Sequence, residues 1–128
     1  MSLAKRSLPG PTLLRQAMML AIIELLILRK RQVKPSIALE LNREAMRGAA
    51  HRFRTTNLRV FGSALHGTDR ENSDLDLLVD PLPGATLFDL GGLQVELEEL
   101  LGVTVDLLTP GDLPPKFRSR VLAEAIPV

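Results

Sequence analysis

The sequence predicts a small α/β (α+β) domain, a mixed β-sheet of about three to four strands flanked by helices. Three observations predict it. Short apolar or alternating runs at 58–61, 75–79 and 103–108 are separated by longer segments of helical periodicity. Glycine and proline, nine of each, fall mostly between these runs rather than inside them. With 128 residues the chain is long enough for one hydrophobic core, and it has no cysteine to staple a smaller one.

The first element is a helix over residues 12–31. Its run AMMLAIIELLIL, residues 17–28, is interrupted by Glu24 alone. That run is shorter than the roughly 20 apolar residues a bilayer requires. No small-residue cleavage site follows it, so neither a membrane span nor a secretory signal is expected. A helix apolar on nearly all sides needs a cover, from this domain, from a second copy or from another protein. A second copy is the simplest, which predicts a homo-oligomer joined through residues 12–31, with Met18, Ile22, Leu25 and Leu26 in contact.

Pro35 and Ser36 open a second helix over 37–54, with Ala38, Leu41, Ala45, Ala49 and Phe53 inward and Arg43, Arg47 and Arg54 on or near the other face. The strand 58–61 ends at Gly62, and 63–66 starts a short helix before a turn-rich stretch, 67–72. In the second strand, Leu75, Leu77 and Val79 face away from Asp74 and Asp76, because side chains alternate along a strand. Pro81, Pro83 and Gly84 end it. A third helix spans 87–101, weakened by Gly91-Gly92 and stopped by Gly102. In the third strand, Asp106 lies opposite Val103, Val105 and Leu107. Pro110, Pro114 and Pro115 precede a last helix over 115–125, with Phe117, Val121 and Ala125 aligned.

The net charge of +1 conceals a division. Residues 1–59 hold twelve Lys/Arg against three acids, while residues 60–114 hold Arg70 alone against eleven acids. The halves can pair with each other, and a divalent cation would partly neutralise the acidic one. Trp and Tyr are absent and Phe occurs four times, so the stacking platforms of a single-strand nucleic-acid binder are missing. Thiolate metal sites and disulfides are excluded, and a cytoplasmic setting is expected.

Chemistry concentrates in one run, VFGSALHGTDRENSDLDLLVD. Gly62-Ser63 at a strand end can bring backbone N–H groups close to phosphate oxygens. Asp74 and Asp76, two apart on a strand, present both carboxylates to one side, where hard oxygens suit Mg²⁺. Together they suggest a Mg²⁺–nucleotide site.

Gly62-Ser63, the D-x-D of Asp74 and Asp76, and the later strand residue Asp106 resemble the minimal nucleotidyltransferase (MNT) domain. That group belongs to the DNA polymerase β-like nucleotidyltransferase superfamily, and the resemblance is to its MntA-like antitoxin type. It extends from about Lys34 to the C-terminus, through LFDLGGLQ, GVTVDLLTPG and VLAEAIP. Val33-Lys34-Pro35-Ser36 stands where relatives often begin with Met-Lys-Pro-Ser. The expected organisation is therefore a helical extension, 1–33, and a nucleotidyltransferase domain, 34–128.

The resemblance implies a nucleotidyltransferase fold and an enzyme that transfers NMP, AMP from ATP in the first instance, to an acceptor. Asp74, Asp76 and Asp106 would be catalytic and would ligate two Mg²⁺ ions arriving with the NTP. Asp106 would complete the acceptor-side site and take the acceptor's proton. Gly62 and Ser63 would bind the β- and γ-phosphates. The resemblance also implies a HEPN-type toxin protein as partner and acceptor. His66 departs from the pattern, since relatives commonly carry arginine there in G-S-x-x-R-G. That departure leaves open an alternative: a non-catalytic module that neutralises its partner by contact.

Overall fold

The structure, a computed structural model, describes residues 10–31 and 33–128, with the backbone alone at 27–31. Residues 1–9 and 32, part of the expected extension, lie outside the described residues. In chain order the elements are α1 (Pro11–Arg31), α2 (Pro35–Leu41), α3 (Arg43–Arg52), β1 (Thr55–Phe61) and α4 (Gly62–His66). They continue with β2 (Leu75–Pro81), α5 (Leu87–Leu101), β3 (Val105–Leu108), α6 (Pro115–Glu124) and β4 (Ile126–Pro127). A 3₁₀ turn, Pro110–Asp112, lies between β3 and α6.

The sheet is mixed and has four strands in the order β3-β2-β1-β4. β1 runs antiparallel to both neighbours, and β2 runs parallel to β3. Leu75, Leu77 and Val79 of β2 are fully buried and join Ala38, Leu39, Met46, Ala49, Leu93 and Leu97 in one core cluster. Thus α2, α3 and α5 cover one face of the sheet. Leu78, on the opposite face, is also buried but stands outside that cluster, with the 3₁₀ turn packed against its strand. The rest of that second face is left for chemistry.

The expected helix 37–54 is two helices, divided at Asn42 (φ −131°, ψ 18°). Asn42 donates from Nδ2 to the Ala38 carbonyl at 2.8 Å and from its backbone N–H to Leu39 at 3.1 Å. Asparagine competes in this way with helix continuation. The break resets the phase, so Leu41 is 77% exposed and Ala45 is exposed, whereas Met46 is fully buried. The first strand also starts earlier than expected, at Thr55. An irregular register after Thr56 sets Asn57 at φ 54°, and its side chain donates to Asp80 at 2.9 Å.

Gly91-Gly92 looked like a weakness in α5, yet the helix continues through both. A Cβ on Gly92 would lie 2.6 Å from Phe53 Cε1, so the glycine admits close packing of the ring. Thr86 and Asp89 form a capping box at the N-terminus of α5, and Gly102 (φ 68°) closes its end. The basic and acidic halves do meet, through Arg52–Glu96 and the partly buried Arg59–Asp80. Arg43 and Arg47, expected outside, donate to the Val128 carbonyl at 3.2 and 2.7 Å and so hold β4 in place.

α1 is helical as expected, and every described side chain from Gly10 to Leu26 is exposed. No described helix is long and apolar enough to cross a membrane.

Asp69 is only 5% exposed, and it accepts the Ser36 backbone N–H at 2.8 Å. It fastens the loop before β2 to the start of α2, across 33 residues of sequence. Asp69→Ala leaves that N–H without its partner and should cost about 1–3 kcal/mol. Asp69→Asn keeps an acceptor and should cost less. Urea melts of both variants check the order, and equal losses would contradict it.

Candidate active site

β1 delivers the chain to Gly62, which takes φ +73°, a conformation that L side chains rarely adopt. From there one turn of helix, α4, ends at Gly67 (φ 71°), whose N–H donates to the Ser63 carbonyl. Thr68 N–H donates to the same carbonyl at 3.0 Å. Ser73 and Arg70 then close a reciprocal turn, Arg70 N–H to Ser73 Oγ at 2.8 Å and Ser73 N–H to the Arg70 carbonyl at 3.0 Å. The loop ends where Leu75 N–H joins the Thr104 carbonyl at 2.8 Å and the parallel β2–β3 ladder starts.

That ladder places Asp76 directly beside Asp106. Paired residues on neighbouring strands point to the same face, so both carboxylates stand on the side away from the main core. Asp74 lies one residue ahead of β2, rather than within it, and is exposed. On the other flank of Asp76, the register pairs it with Phe61, the residue before Gly62. A Cβ on Gly62 would strike the Asp76 carboxylate, with Cγ only 3.0 Å away. Glycine is thus required twice here, by its backbone angle and by the carboxylate packed against it.

Asp76 pays electrostatically for this position. Its carboxyl is pushed up from 3.8 to about 6, by burial first and then by the charges of Asp106 and Asp74. The three acids therefore share one field. Among the described residues, no three His, Asp or Glu side chains are drawn tightly enough together to form a ready metal cage. Hard oxygens beside excess negative charge are still a donor set suited to a divalent cation.

All five residues singled out by motif thus fall in one neighbourhood: Gly62 and Ser63 at the end of β1, Asp76 beside Gly62, Asp106 on the adjoining strand, and Asp74 just before β2. His66 ends α4, with Nε2 3.3 Å from Glu124 Oε2. Arg70 is exposed and holds its turn through its backbone. His51 is exposed on α3. Asp69, Arg120 and Glu124 belong to the surroundings of the site but were not singled out from the sequence. Asp69 acts through Ser36 and Glu124 through His66, both distant in the chain, so period and spacing gave no signal of either contact.

The nucleotidyltransferase domain family matches residues 43–128. The chain belongs to that family. A solved structure provisionally described as a minimal nucleotidyltransferase is similar at a TM-score of 0.66 and 45% identity, covering 73% of this chain and 95% of the other. A Methanocaldococcus jannaschii protein provisionally named a protein adenylyltransferase is 44% identical over 69 residues, which is 54% of this chain and 74% of that protein. The protein adenylyltransferase MntA of Thermococcus cleftensis is 38% identical over 75 residues, 59% of this chain and 76% of the relative. This nucleotidyltransferase is accordingly a transferase enzyme whose reaction class is the movement of a nucleoside monophosphate.

The Asp76 shift has a consequence for the stability of the nucleotidyltransferase. The fold binds the Asp76 proton more tightly than the unfolded chain does, so this contribution is fully present below about 3.8 and is lost as pH rises through about 6. Asp76→Asn removes the charge. In chelator, allowing for solvent screening of a half-buried group, it should raise stability at about pH 8 by ~1–2 kcal/mol. At about pH 4 the gain should largely vanish. Urea midpoints at the two pH values test this, and a gain of the same size at both would refute the coupling.

Proposed function

We propose that this nucleotidyltransferase moves AMP from ATP onto a hydroxyl of a partner protein, and that the partner is a HEPN-type toxin which the transfer silences in the cytoplasm. The observation that carries the reading is the pairing of Asp76 with Asp106 on the open face of the sheet, next to the Gly62-Ser63 turn. Relatives named as protein adenylyltransferases support AMP as the group and protein as the acceptor. The HEPN partner and the antitoxin role rest on the resemblance of the motifs alone.

In this reading Asp74, Asp76 and Asp106 hold two Mg²⁺ ions that enter with the nucleotide. Those ions supply charge neutralisation at the entering and leaving oxygens. Gly62 and Ser63 hold the β- and γ-phosphates through backbone N–H groups and the Ser63 hydroxyl. Asp106 takes the proton of the acceptor hydroxyl as its oxygen bonds to the α-phosphorus. The bond to the β-phosphate oxygen breaks, and pyrophosphate leaves.

Asp74→Asn and Asp76→Asn should each abolish transfer of label from [α-³²P]ATP to the partner while the protein still melts cooperatively. Excess chelator should abolish transfer by the unaltered protein. Undiminished transfer in both variants would overturn the site. A chain that neutralises its partner equally well with either substitution would instead be the contact-only module.

Residues 1–33 are, on the same reading, an extension to a domain that occupies 34–128. Leu13, Met18, Met19, Leu20, Ile22 and Leu25 of α1 are each more than half exposed, on all sides of the helix. Fully burying such a side chain is worth roughly 1.5–3 kcal/mol, and the core of this chain does not cover them. A second α1 offers a matching apolar surface, so the proposal is a homo-oligomer joined there. Sedimentation of the full chain should show self-association that the double substitution Met18→Glu, Leu25→Glu abolishes. A monomeric unaltered chain would exclude it.

A further inference from the structure

Beside the Gly62 turn, on the flank away from Asp106, lies a cavity of about 190 Å³ between α4 and α6. Gly62, His66, Arg120 and Glu124 line it, with Phe61 and Phe117. Arg120 is the single Lys or Arg among its described lining residues. Glu124 reaches both basic groups there: its Oε1 lies 3.7 Å from Arg120 Nε, and its Oε2 lies 3.3 Å from His66 Nε2. The other arginine of α6 that could compete, Arg118, is committed to the Leu113 and Gly111 carbonyls at 2.9 and 3.3 Å. Arg120 is mostly exposed, at 74% of its side chain, so its guanidinium is free to turn into the cavity.

The order of elements gives this pocket a meaning. Across the sheet the strands run β3, β2, β1, β4. Asp106 stands on β3, Asp76 on β2, Gly62 at the end of β1, and the pocket lies beyond, under the helix that leads into β4. A nucleotide whose α-phosphate sits at the carboxylates and whose next phosphates cross Gly62-Ser63 has its terminal phosphate at this pocket. Glu124, the carboxylate that lines the pocket, would repel that tail unless a cation met it.

We infer that Arg120 binds the terminal phosphate of the nucleotide triphosphate, and that Glu124 is the resident counter-ion which the phosphate displaces. The inference rests on the nucleotidyl-transfer reading and adds to it a residue that distinguishes triphosphates from shorter nucleotides. Arg120 is thus a specificity-determining group supplied by α6, on the flank where His66 ends α4. A guanidinium and a phosphate make charge-assisted, often bidentate, hydrogen bonds, whereas the present Arg120–Glu124 contact is long and exposed.

Isothermal titration of the full chain with α,β-methylene-ATP and with AMP, each with Mg²⁺, tests this. Arg120→Ala should weaken the triphosphate analogue by about tenfold and leave AMP within about twofold. Glu124→Gln should tighten the analogue by roughly two- to fivefold, because it removes the competing charge. A purely structural clamp between α4 and α6 predicts the reverse, weaker binding in Glu124→Gln. Unchanged analogue affinity in Arg120→Ala, or an equal loss for AMP, would overturn the inference while leaving the transfer reading standing. An unaltered protein that binds neither nucleotide would overturn the transfer reading and this inference with it.

Discussion

A half-buried carboxylate at Asp76, with Asp106 on the next strand and Asp74 just ahead, is costly to keep in a small domain, and its surroundings are arranged around that cost. The parallel ladder between β2 and β3 fixes Asp76 beside Asp106 through backbone bonds, so neither charge can retreat far. Gly62 fits against the carboxylate because it lacks a Cβ, and its left-handed angle turns the chain straight into α4. The wholly apolar face behind β2, with Leu75, Leu77 and Val79 fully buried, gives the strand the support that its charged face withholds. A well-packed core on one side thus stabilises an electrostatically unfavourable arrangement on the other.

The segments around the site serve the same arrangement from a distance. Asp69 ties the loop before β2 to α2, and the Arg70–Ser73 turn sets where β2 begins. Arg43 and Arg47 hold the Val128 carbonyl, while Val128 N–H bonds to Leu58 at 2.9 Å. That keeps β4 on the edge of β1 and α6 over the end of α4. The basic first half of the chain is thereby used in part to secure the acidic second half, through Arg52–Glu96 and Arg59–Asp80.

Much of this was legible in the sequence because strand alternation is a strict period of two. Leu75, Leu77 and Val79 on one side put Asp76 on the other, and the same alternation placed Asp106 opposite Val105. Helix 87–101 was equally clear, with a glycine stop at Gly102. The break at Asn42 was hidden because apolar spacing continues across it, and only the asparagine's bonds to Ala38 and Leu39 show where the helix ends. β4 is two residues long, too short for any period to register. Asp69 gave no signal because its partner lies 33 residues away. The Glu124 contact with His66 depends on α6 folding back over α4, which no local pattern encodes.

The spacing of the two strand carboxylates is written in the hydrogen-bond ladder rather than in the loops. Neighbouring strands lie about 4.8 Å apart wherever a sheet forms, so Asp76 and Asp106 keep their separation whatever happens to the segments that connect them. The exposed stretches at 82–84 and 114–116 are under no comparable geometric demand. Descendants of such a chain could rewrite those stretches freely, and with them the surface that greets an acceptor, without retuning the chemistry. A reaction centre anchored in backbone pairing is in this sense portable: one small sheet can be handed from one target to another through changes at its rim alone.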